Sequence, residues 1–228
     1  CSAIFCSPGL STTPLIPVGA ALNLAVYTLR KPFQGYIYGF HNGRAAEIND
    51  IGYINTLKDT ILEDYNIDKR NEQSSTTASI NQQYHPTWAT RGYPWQSGPL
   101  QHNREVFGKL IDFVNENISN YMDSLGYHHD GFYTTQCWAN VYEKTESIHP
   151  HRHYNSFLSW NFVIAGQDAP FVLQQTAQGS FQPSLKFNIP ENSQQIGIEP
   201  RSGLLTIWPS YLIHYTAPNE IDDYRVTV

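Results

Sequence analysis

A chain of 228 residues is long enough to bury one full hydrophobic core as a single domain. Its 40% hydrophobic and 15% charged content excludes a disordered polypeptide. Fourteen Lys and Arg against twenty Asp and Glu, a net charge of −6, lack the basic excess of a nucleic-acid-binding protein.

The first residues, Cys1 to Cys6, carry no basic region followed by an apolar run, so no signal peptide is expected there. Segment 15–27 is the most apolar. Pro17, Gly19 and Asn23 interrupt it, and it falls short of the ~20 apolar residues of a membrane span. Residues 1–40 are rich in Pro, Gly, Ser and Thr, with β-prone pieces such as Tyr36-Ile37-Tyr38. Cys1, Cys6 and Cys137 do not make a disulfide framework, which points to a reducing, cytoplasmic setting with Cys137 as a buried thiol.

Segment 47–65 predicts a helix, because Ile48, Ile51, Ile54, Leu57, Ile61 and Leu62 recur at a roughly helical period. Segment 66–100 predicts a long loop containing Tyr84, Trp88, Tyr93 and Trp95, a candidate lid or substrate wall. A second, stronger helix is predicted over 103–125. Val106, Leu110, Phe113, Val114, Ile118, Tyr121 and Met122 share one stripe, and Gly126 supplies the stop.

From Gly131 the period changes. Strand-like runs occur at 132–143, 157–165, 170–175, 184–189, 194–199, 203–208, 211–216 and 224–228, separated by Pro, Gly and Asn. Fifteen Tyr, eleven Phe and five Trp suit pleated surfaces. The expectation is a mainly β (α+β) single domain over 1–228. Residues 1–130 would give loops and covering helices, and 131–228 a sandwich or jelly roll with the helices on one sheet.

Within the β region, Ile148-His149-Pro150-His151-Arg152-His153 carries the chemistry. His151 and His153 are two apart, and on an extended strand such residues point to one face. His214 would come from a distant strand to complete three imidazole ligands for Fe, Zn, Cu or Ni. His149 is the alternative to His153. Pro150 favours 151 and 153 if it marks where the strand begins. His41, His85, His102, His128 and His129 show no convergent spacing.

Eleven residues after His214 comes Arg225-Val226-Thr227-Val228, whose alternation puts Arg225 and Thr227 on one face. A forked guanidinium beside a hydroxyl suits capture of a carboxylate inside a barrel. An edge-strand Arg paired with Asp222 or Asp223 is the plainer alternative. Gln136, Trp138, Asn140 and Tyr142 share a face of an alternating run. Asn140 and Tyr142 would either hydrogen-bond the same co-substrate or simply fill the barrel.

These motifs resemble the 2-oxoglutarate/Fe(II)-dependent oxygenase superfamily, and within it a group described mostly in bacteria and phages. The matching residues are Trp138 and Asn140; His151, His153 and Ser159; Pro209, Ser210 and His214; and Arg225 with Thr227. Upstream, Trp95-Gln96-Ser97 resembles a further element of that group, with Pro94 in place of its Gly. The resemblance covers roughly 90–228. It implies a double-stranded β-helix, a cupin-like jelly roll. It also implies Fe(II) on His151, His153 and His214, and 2-oxoglutarate held by Arg225 and Thr227. His153 stands where most of the wider superfamily has Asp or Glu. A small-molecule or peptide substrate is expected, with no nucleic-acid or membrane partner. The rival readings are a cupin-like three-histidine metalloenzyme without 2-oxoglutarate and a non-catalytic jelly-roll binding protein.

Overall fold

The computed structural model describes residues 2–6, 44–71, 88–89, 104–154, 156–166, 169–174 and 195–228. The strands expected at 36–38 and 184–189, and the segment Trp95-Gln96-Ser97, lie outside the described residues.

The helix expected from Glu47 starts four residues later, at Ile51–Asn71 (α1). Segment Arg44–Glu47 (β2) instead joins a sheet, with Glu47 opposite Leu204 and Arg44 opposite Ile207. The close approach needs Gly203. This residue sits at φ +85°, and a Cβ there would lie 2.1 Å from the Ile48 carbonyl oxygen. The Ile48 N–H donates to the Gly203 carbonyl at 2.9 Å. Asp50 then caps α1, its Oδ1 accepting the Tyr53 N–H at 3.0 Å. Ile51 is 73% exposed, and the buried stripe is Ile54, Leu57, Ile61 and Tyr65. The helix also occupies 66–71, the start of the expected loop. The loop's other described residues, Trp88–Ala89 (β3), form a short strand.

The second helix follows its prediction closely. A 3₁₀ turn, Glu105–Phe107, leads into Gly108–Ser124 (α2), which buries Leu110, Val114, Asn117, Ile118, Tyr121 and Met122. Gly126 ends it at φ +75°. Its N–H donates to Asp123, and the Tyr127 N–H donates to Met122, the paired bonds of a Schellman stop.

The run 132–143 is not one strand. It divides into Phe132–Gln136 (β4) and Asn140–Tyr142 (β5), because β4 pairs with Ser2–Cys6 (β1) while β5 pairs elsewhere. The continuous face expected from Gln136 to Tyr142 is therefore broken at 137–139. Next come Ile148–His151 (β6), Leu158–Ala165 (β7), Phe171–Gln174 (β8), Gln195–Ile198 (β9), Leu204–Pro209 (β10), Ile213–Thr216 (β11) and Arg225–Thr227 (β12).

Among the described residues these strands form two sheets. The larger runs β2-β10-β7-β12-β5-β3, with β1 joining through β7 and β4, and the smaller runs β6-β11-β8-β9. From β5 to β12 the chain passes back and forth between them, which is the winding of a double-stranded β-helix. Pro150 lies inside β6 rather than before it. β6 is an edge strand, where a missing N–H leaves the ladder intact.

The two faces of the larger sheet have different partners. Trp160, Phe162 and Ile164 of β7, Leu205 and Ile207 of β10 and Val226 of β12 pack with Leu57, Ile61, Leu110, Val114 and Ile118 of the helices. The alternate residues turn towards the smaller sheet. Trp208 of β10 packs there with Phe171 and Leu173, and Val163 with Leu204 and Ile198. No described helix is long and apolar enough to cross a membrane.

Candidate active site

His214 occupies the centre of the smaller sheet, on β11 between β6 and β8, and is fully buried. Antiparallel register sets His151 directly opposite it. His153 arrives differently from expectation. It lies two residues beyond the end of β6, so strand alternation does not align it with His151. A loop turns it inward, with its N–H donating to the Ser210 carbonyl at 3.1 Å.

The three rings meet. Ring centroids are 4.3 Å apart for His151 and His214, 4.9 Å for His153 and His214, and 5.1 Å for His151 and His153. One nitrogen from each lies within 4.8 Å of the others. His149 is exposed and stays outside the group.

Backbone contacts decide which nitrogens face the centre. His151 Nδ1 lies 2.8 Å from the His149 carbonyl, and His214 Nδ1 lies 3.0 Å from the Leu212 carbonyl. A carbonyl only accepts, so each Nδ1 carries the proton and each Nε2 presents a lone pair. His214 Nε2 is 3.2 Å from His153 Nε2. Burial, and then the neighbouring His151 and His153, hold the His214 pKa well below 6.5, so the ring stays neutral. Neutral, oriented imidazoles are metal ligands. Trp208 and Phe171 pack on His214, and Trp138 on His153, giving the group an apolar wall.

Beside this group lies a second one. Arg225 is 1% exposed. Register places Arg225 opposite Tyr142 and Thr227 opposite Asn140. The guanidinium carbon is 5.3 Å from the Tyr142 ring centroid, and Nη1 donates to the Ala217 carbonyl at 3.0 Å. Asn140 Nδ2 donates to Thr227 Oγ1 at 3.4 Å. Burial raises the Tyr142 pKa, so its hydroxyl stays protonated and bonds with Thr227 and Thr216. Thr216 is two residues from His214 on β11, which connects the two groups. Of the nearby acids, Asp222 pairs with Lys144 at 2.8 Å and Asp223 accepts the Tyr224 N–H. Gly166, at φ +87°, makes room for the arginine, since a Cβ there would lie 2.8 Å from its Cα and Cβ.

The three histidines thus meet at one point, and Arg225, Thr227, Asn140 and Tyr142 form a second cluster linked to them through Thr216. Further buried polar residues without a role legible in the sequence include Ser159, Asn161, Thr206 and Ser210. Asn161 and Thr206 stand opposite each other, on the face turned away from the helices. The signal was there, because Ser159 and Asn161 alternate with large apolar residues along 157–165.

Residues 136–228 match a family model described as "Putative 2OG-Fe(II) oxygenase". No curated protein matches the chain. Among solved structures it is similar to a prolyl-4-hydroxylase of Pseudomonas putida, at 10% identity over 82% of this chain and 89% of that one, TM-score 0.47. It is also similar to an oxidoreductase of the 2OG-Fe(II) oxygenase family from Burkholderia pseudomallei, at 11% identity over 55% of each chain, TM-score 0.40. A third is the non-heme alpha ketoglutarate dependent epimerase SnoN from nogalamycin biosynthesis, at 12% identity over 82% of this chain and 74% of that one, TM-score 0.44. These structural likenesses are loose.

Proposed function

We propose that this chain, whose residues 136–228 match a model described as a 2OG-Fe(II) oxygenase, holds Fe(II) through His151, His153 and His214 and 2-oxoglutarate through Arg225, Thr227, Asn140 and Tyr142, and hydroxylates its substrate. The observation that carries this reading is the pairing of two buried groups, three convergent imidazoles and a guanidinium at 1% exposure.

The donor set fits the metal. Three imidazole nitrogens would suit Fe(II) and would leave further positions open to a co-substrate. When bound, iron and 2-oxoglutarate supply the oxidising chemistry: O2 is consumed, 2-oxoglutarate yields succinate and CO2, and the substrate gains one oxygen atom. The protein's part is positioning and shielding. The His149 and Leu212 carbonyls fix the tautomers of His151 and His214. Arg225 binds the distal carboxylate of the keto acid through its fork, and the Thr227 hydroxyl contributes a further donor. Tyr142, kept protonated by burial, donates rather than repels. Trp138, Trp208 and Phe171 keep bulk water from the metal side.

A small-molecule or peptide substrate and a cytoplasmic, bacterial or phage-encoded setting belong to the same reading. Exposed Tyr154, Phe157 and Tyr211, on segments adjoining the histidines, support an aromatic approach to the site. The test is succinate formation from 2-oxoglutarate by the Fe(II)-loaded protein. Dependence on both His214 and Arg225 supports the reading. Turnover that survives Arg225→Ala unchanged contradicts it.

A further inference from the structure

His153 differs from the other two histidines in how it is held. His151 and His214 face each other across a ladder, whereas His153 lies past the end of its strand. What fixes it is one residue, Ser210. The His153 N–H donates to the Ser210 carbonyl at 3.1 Å, and the Ser210 N–H donates to the Phe157 carbonyl at 3.1 Å. His153 and Phe157 therefore bond both main-chain groups of Ser210.

The Ser210 side chain adds a second layer. Ser156 Oγ donates to Ser210 Oγ at 2.9 Å, and Ser159 Oγ lies 2.7 Å from it. Each hydroxyl has one proton. Ser156 gives its own to Ser210, and either hydroxyl can donate between Ser210 and Ser159, so three hydroxyls are linked in a row. Ser159 is 0% exposed and Ser210 1%, so replacement of these bonds by water is not open to them.

This row joins the two segments that carry metal-facing side chains. Ser156 and Ser159 follow His153, and Ser210 precedes β11 with His214. Trp208, just ahead of Ser210, stands opposite Ser159 and packs its ring 4.9 Å from His214.

We infer that Ser210, with Ser156 and Ser159, is a positioning clamp that sets the distance between His153 and His214 and thereby the affinity and geometry of the metal site. The inference rests on the proposed metal-binding role of the three histidines. Residues of this kind, one step removed from a ligand, typically change metal affinity 10- to 100-fold, in order of magnitude.

The test is a double-mutant cycle on Ni(II) affinity, read by calorimetric titration of the metal-free full chain. Ser210→Ala keeps the main-chain bonds and deletes the hydroxyl. A roughly tenfold or greater loss of affinity is expected, and this loss should vanish when Ser210→Ala is placed on His153→Ala, because only two ligands then remain to position. Equal losses in both backgrounds, or no loss in either, overturn the clamp. If Ser210→Ala does not fold, Ser159→Ala removes the partner of the same hydroxyl and carries the same cycle. Wild-type protein that binds no Ni(II), or binds it as well after His214→Ala, overturns the metal site itself and the clamp with it.

Discussion

His153 Nε2 and His214 Nε2 lie 3.2 Å apart, although 61 residues separate them in the chain. With its Nδ1 proton given to the Leu212 carbonyl, His214 directs a lone pair at its neighbour. Two imidazoles this close cannot both be protonated cheaply.

The first prediction follows from that contact. Burial, reinforced by the two neighbouring rings, lowers the His214 pKa in the folded state below 6.5. The unfolded chain takes up the proton more readily, so stability rises with pH up to about 6.5 and is lost as pH falls below it. Urea titrations of the metal-free protein should give a lower midpoint at about pH 5 than at about pH 7. The difference should shrink in His214→Phe.

The second concerns Arg225. A guanidinium at 1% exposure, facing Tyr142 and neighboured by Thr227, is placed for a carboxylate. Arg225→Ala should weaken 2-oxoglutarate binding by about 2–5 kcal/mol, the range for truncating one member of a buried charge pair. Arg225→Lys should recover only part, since it keeps charge but not the fork. Calorimetric titration of the metal-loaded protein measures both.

The third concerns Gly166. Its φ of +87° disfavours any side chain, and a Cβ would lie 2.8 Å from Arg225 Cα. Gly166→Ala should cost about 1–3 kcal/mol of stability through strain and shift Arg225 as well. Thermal unfolding should register the first effect and 2-oxoglutarate titration the second, while metal affinity stays close to wild type.

The fourth separates the two candidate histidines. His149 is exposed and lends only its carbonyl to His151. His149→Ala keeps that carbonyl, so Ni(II) affinity should stay within about twofold, given the small effects of surface substitutions. His153→Ala should lower it by a factor of ten or more. Parallel titrations decide.

Much of this was readable from the chain. The candidate residues are legible because chemistry limits the residue types that can hold metals and carboxylates, and β parity pairs Arg225 with Tyr142 and Thr227 with Asn140. The described strands from 157 onward and the helix through Leu110, Val114 and Ile118 follow their periods for the same reason. The misreadings have physical causes too. The period of Ile48 and Ile51 predicts helix α1 from Glu47, yet Arg44–Glu47 pairs with a sheet edge, and Asp50 supplies the cap. His151 and His153 seemed to share a strand face. The strand ends between them, and His153 is held by Ser210, a contact 57 residues away that no local pattern encodes. Ser159 and Asn161 were visible as polar interruptions, but a hydroxyl's partner is known only once the strands are assembled.

The most direct test of the central claim is an anaerobic titration of metal-free protein with Fe(II) and then 2-oxoglutarate, followed by visible absorption. The expected result is a weak charge-transfer band of a keto acid chelated to iron, lost in His214→Ala and Arg225→Ala. Iron binding without the band would contradict a 2-oxoglutarate site beside the three histidines, and absence of iron binding would contradict the metal centre.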